Sequence, residues 1–96
     1  MDRGSVNRAF GHELRSRRQD AGLTLEEMWT ALGWRKNTYK RTEAGERDVT
    51  LADIFDVAEA LSVSPTTIFN ATKRRWREGD YPNPSVSDEW GSILGL

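Results

Sequence analysis

The chain marks helix starts and helix stops at short intervals. Thr24, Thr50 and Ser64 each stand where a side-chain oxygen can accept from the first free backbone N–H groups of a helix. Gly22, Gly33 and Gly45 stand where a helix can end. Thr24 is followed three residues later by Glu27, the reciprocal capping pattern, and Ser64 by Pro65, whose ring suits a first helical position. Between these marks apolar residues recur at three and four positions, the period of a helix packed on one side. Phe10 and Leu14, with Arg18 on the same stripe, predict a first helix over about residues 7–21, and Met28, Trp29 and Leu32 a short second one stopped by Gly33. A third covers about residues 35–44. Leu51, Ile54, Phe55, Ala58 and Leu61 form the clearest apolar stripe, and Ile68 and Phe69 follow Pro65 in a fifth helix. β-branched residues never alternate with polar ones over a useful length, so strand signals are few. The fold class expected is all-α, five short helices over residues 7–71.

Beyond Ala71 the composition changes. Lys73, Arg74, Arg75 and Arg77 surround Trp76, residues 79–84 are turn-rich, and Ser87 precedes Trp90, Ile93 and Leu94. Residues 72–96 therefore read as a basic and aromatic C-terminal extension. The basic cluster has three readings: a solvated run, an arm that grips DNA phosphates, or part of a partner surface with Trp76.

Composition removes several classes of function. Cysteine is absent and His12 is the single histidine, so no thiolate or multi-histidine metal site is expected, and no cofactor. No nucleophile–base pair or phosphate loop is visible. Glu26 and Glu27 are explained by the dipole of the helix they open, so no enzyme activity is expected. No apolar run approaches the ~20 residues of a membrane span, and the N-terminus lacks the apolar stretch of a secretion signal. The expected location is the cytoplasm.

The net charge of −1 hides a division. Residues 1–47 carry +3, residues 48–72 carry −4 through Asp48, Asp53, Asp56 and Glu59, residues 73–77 carry +4, and residues 78–96 carry −4. A polyanion responds to local potential within about 8–10 Å, so a nearly neutral chain can present a basic face.

The third helical segment concentrates that face. Arg35, Lys36, Asn37, Thr38, Lys40 and Arg41 fall within seven positions, with Lys36, Asn37, Lys40 and Arg41 clustered away from an inward Tyr39. Cations that can reach guanine and an asparagine that can pair with adenine fit a helix in the major groove. Its N-terminal end offers unpaired backbone N–H groups to phosphate. Tyr39 is expected in the core with its hydroxyl reaching the surface.

With Gly22-Leu23-Thr24, the Leu32-Gly33 turn, Glu43-x-Gly45, Leu51 after Thr50, and Ala60-Leu61-Ser62-Val63-Ser64, the stretch from Phe10 to Phe69 resembles the lambda-repressor-like (Cro/CI, XRE) helix-turn-helix family. The resemblance implies a five-helix domain that binds double-stranded DNA, commonly as a homodimer, with residues 35–44 in the major groove. It implies base reading by Lys36, Asn37 and Arg41, and backbone or flanking contacts by Thr24, Arg35, Thr38, Lys40 and Arg47. It also implies a structural ion pair between Arg18 and Glu43. This chain departs from the family pattern at Trp29, usually a small residue, and at Thr42, usually apolar; Trp29 is expected to fill space that Thr42 vacates. Leu25 replaces a frequent glutamine.

A self-association or partner surface is expected from Ile68, Phe69, Trp76, Trp90, Ile93 and Leu94. The reading overall is a sequence-specific transcriptional regulator, a phage-type repressor or a small bacterial regulator. Two alternatives stand beside it. An antitoxin or anti-repressor on the same fold would bind a protein through Trp76, Tyr81 and Trp90. A non-specific architectural DNA binder is disfavoured by the low net charge.

Overall fold

The computed structural model describes residues 2–82. These residues form five helices and no strand: α1 (Arg3–Asp20), α2 (Leu25–Leu32), α3 (Lys36–Glu43), α4 (Leu51–Leu61) and α5 (Pro65–Glu78).

The local signals at α2, α4 and α5 act as their chemistry predicts. Thr24 Oγ1 accepts from Glu27 N at 3.0 Å while the Glu27 carboxylate accepts from Thr24 N at 2.9 Å. The same reciprocal box joins Thr50 and Asp53 at the start of α4. Ser64 caps α5 with Pro65 in its first turn. Gly33, at φ +71°, ends α2 in the left-handed region that glycine tolerates.

Two helices are longer than their apolar stripes suggest. α1 starts at Arg3 rather than Asn7, because Asp2 Oδ1 accepts from Gly4 N and so provides an earlier cap. α5 continues past Ala71 to Glu78, so Lys73, Arg74, Arg75 and Arg77 are helical residues rather than a loose arm. The reason is a buried stripe of mixed polarity. Ile68, Thr72 and Arg75 all face inward, the Thr72 hydroxyl donates to Ile68 O, and the Arg75 stem packs while its head meets Glu13 on α1.

The core consists of Phe10, Leu14, Met28, Tyr39, Val57, Ala58 and Ile68. α1 packs on α3 and α5, α4 on α5 and α2, and α2 on α3. Ile68 is fully buried here, so it belongs to the core and not to an interface. Trp29 is half-buried at the core's edge, and the buried Thr42 satisfies its own hydroxyl on Thr38 O at 2.7 Å. No helix among the described residues is long and apolar enough to cross a membrane.

Candidate nucleic-acid interface

α3 is amphipathic in an unusual sense: its inward face is largely polar. Tyr39, Thr42 and Glu43 are buried, at the three- and four-residue spacing of one helical side. Lys36, Asn37, Lys40 and Arg41 are exposed on the other side, Arg35 is exposed at the N-cap, and Thr38 is half-buried. Arg35 makes no side-chain cap to the helix, and the first turn holds no acid. The unpaired N–H groups and the positive end of the helix dipole therefore add to the cationic side chains.

The side chains of Arg35, Lys36, Asn37 and Lys40 make no hydrogen bond, ion pair or ring contact with another described residue. Arg41 Nη2 donates to Glu46 O at 3.2 Å, a contact made at the surface. Thr24 is exposed at the start of α2, but its backbone N–H already donates to Glu27. That hydrogen bond also holds the Glu27 carboxyl below its usual carboxylate range. The negative carboxylate competes with a phosphate for this helix end.

Three devices hold α3 in place. Arg18 on α1 reaches Glu43 with Nε–Oε2 at 2.7 Å and Nη2–Oε1 at 3.3 Å, while its Nη1 donates to Leu23 O at 3.0 Å. The expected structural pair is thus also tied to the segment leading into α2. Tyr39 lies against this pair. Burial, and then the negative charge of Glu43, push its phenol well above the ordinary value. Contrary to expectation its hydroxyl does not reach the surface, because the residue is closed on all sides and Oη has no hydrogen-bond partner.

Close backbone approach supplies the second device. A Cβ on Gly11 would come within 2.5 Å of Glu43 O and 2.6 Å of Thr42 O, so only glycine lets α1 and α3 meet at this distance. The third device secures the loop after α3. The buried Asn7 donates from Nδ2 to Asp48 Oδ1 at 3.0 Å and accepts on Oδ1 from Val49 N at 3.1 Å. Sequence reasoning missed Asn7, although its place three residues before Phe10 puts it on the buried stripe.

Arg47, expected at a phosphate, is instead held within the protein. Its Nη1 lies 2.8 Å from Asp53 Oδ2, and its guanidinium carbon lies 5.5 Å from the centre of the Trp34 ring. The basic cluster on α5 also divides. Arg75 is buried, with Nε 2.7 Å from Glu13 Oε1 and Nη1 2.7 Å from Asp80 Oδ2, which removes it as an arm for DNA. Glu13 is shared with Arg17. Arg74 pairs with Glu78 at the surface, while Lys73 and Arg77 are exposed. Phe69 and Trp76 are exposed on the same helix, as are Leu51 and Phe55 on α4. Trp90, Ile93 and Leu94 lie outside the described residues.

The sequence profile described as a helix-turn-helix domain matches residues 9–68. Among solved structures, the clp gene regulator ClgR from C. glutamicum is similar at 28% identity and a TM-score of 0.66, covering 71% of this chain and 88% of that one. The restriction-modification controller protein C.AhdI from Aeromonas hydrophila is similar at 32% identity and a TM-score of 0.62, covering 66% and 96%. None of the curated proteins compared matches the chain.

Proposed function

The chain belongs to the helix-turn-helix domain family and is a DNA-binding transcriptional regulator, and from that premise we propose that α3 reads bases in the major groove. Lys36, Asn37 and Arg41 select bases, and Arg35, Thr38 and Lys40 position the helix on phosphates or flanking bases. Thr24 contributes only where a phosphate can share its helix end with Glu27. The observation that carries this reading is the exposed polar face of α3, on which only Arg41 is engaged, by Glu46 O, set on a helix whose opposite face is locked to α1. The protein acts in the cytoplasm, without catalysis.

A second copy completes the reader. Eight residues of α3 span about 12 Å, enough for only a few base pairs. Two copies double the sequence read, and the exposed Phe55 and Phe69 on neighbouring helices supply apolar surface for such a pair. Selection of bound duplexes from a random pool tests the whole proposal. An enriched motif with two-fold symmetry is the expected result. Failure to enrich any motif, together with co-purification of a stable protein partner, would instead favour an antitoxin-like binding module.

A further inference from the structure

Resting on the major-groove reading above, we propose that Arg47 is a positioning residue that sets the attitude of α3, acting through Trp34, Thr42 and Asp53 rather than through a DNA phosphate. Trp34 immediately precedes the α3 N-cap, Thr42 lies in the last turn of α3, and Asp53 lies in the first turn of α4. The Arg47 guanidinium meets all three. It lies 5.5 Å from the indole centre, Nη1 is 3.4 Å from Thr42 Oγ1, and the pair to Asp53 is two-pronged at 2.8 and 3.4 Å. One planar cation therefore joins both ends of the reading helix to the helix that follows it.

The chemistry requires arginine. A guanidinium can present its edge to a carboxylate and its face to a ring at the same time, which an ammonium cannot. Trp34 passes the contact inward, its ring 6.2 Å from that of the buried Tyr39. Asp53 also accepts from Thr50 N, so it is fully engaged in the cap of α4. Were Arg47 to turn toward a phosphate, the buried Asp53 carboxylate would lose its counter-charge, which is strongly unfavourable. Bidentate base contacts weaken steeply with angle, so a small tilt of α3 would be felt as lost discrimination.

The test measures binding of the full chain to its selected duplex and to random duplex across a salt series, at a temperature where circular dichroism shows every variant folded. Arg47→Lys keeps the charge and Trp34→Leu changes none. Both are expected to lower the selected-to-random affinity ratio by about tenfold, the scale of one good base contact. Their slope of log affinity against log salt on random DNA should match the wild type. A phosphate ligand would behave otherwise: Arg47→Lys would keep full discrimination, and Arg47→Ala would weaken both duplexes equally and reduce the slope by about 0.9. That result overturns the assignment of Arg47 alone. A wild-type chain with no preference among duplexes overturns the base-reading role of α3, and the positioning role with it.

Discussion

Arg18 and Glu43 face each other across the α1–α3 contact with two parallel bonds, both side chains nearly closed to solvent. The pair joins residues 25 positions apart, and Arg18 adds a third bond to Leu23 O. It fixes the rear of α3 while Lys36, Asn37, Lys40 and Arg41 stay exposed at the front. Arg18→Met would strand a buried carboxylate, and loss of about 3–5 kcal/mol of stability is expected in urea unfolding. Affinity for DNA, measured where the variant is fully folded, should fall much less. A variant with an unchanged unfolding midpoint would show that the pair does not hold α3.

Gly11 tests the same packing from the backbone side. Gly11→Ala places a methyl group against the Glu43 and Thr42 carbonyls at distances no native contact shows, so α3 must move away from α1. Destabilisation of about 1–3 kcal/mol is expected, the usual range for overpacking. A melting temperature equal to or above the wild type, as an ordinary helical Gly-to-Ala change would give, contradicts the close approach.

Arg75 separates a structural cation from a DNA contact. Arg75→Met removes one of the two arginine partners of the buried Glu13, leaving Arg17, and should lower stability, while the salt slope of DNA binding stays as in the wild type. A slope reduced by about 0.9 with an unchanged melting temperature would return Arg75 to the DNA arm.

These contrasts show what the sequence could reveal. Caps at Thr24, Thr50 and Ser64 are written within four residues, so they were legible, as was the exposed run on α3. Arg18 with Glu43 was legible through resemblance. Glu13 with Arg75, 62 positions apart, and Asn7 with Asp48, 41 apart, were not, because only tertiary folding brings such pairs together. Arg75 misled for a further reason. Within the basic cluster nothing distinguishes a cation whose stem is buried from its solvated neighbours, yet its seven-residue spacing from Ile68 continues an inward stripe. The phosphate role of Arg47 is implied by the resemblance alone, and no local sequence pattern shows the indole of Trp34 and the carboxylate of Asp53 that engage it in the fold.

His12 gives the fold a mild acid dependence. Burial first, then the charges of Arg75 and Arg15, lower its pKa below 6.5, against the opposing pull of Asp80 and Glu13. Arg15 Nη2 lies 3.1 Å from His12 Nδ1, a bond this nitrogen can accept only while unprotonated. Because the folded value is depressed, the unfolded chain takes up protons first. The contribution is complete above pH 6.5 and is lost as pH falls through the folded value. The urea midpoint of wild type should decline in that window and that of His12→Gln should decline less; parallel profiles would contradict the assignment.

The proposed role of the outer face of α3 is base selection. Its most direct measurement is the affinity of Lys36→Ala, Asn37→Ala and Arg41→Ala for the selected duplex and for single base-pair variants of it. Each substitution should relax preference at one position, costing about 1–3 kcal/mol on the selected duplex and little on random DNA. Equal losses on selected and random duplexes for all three would contradict it.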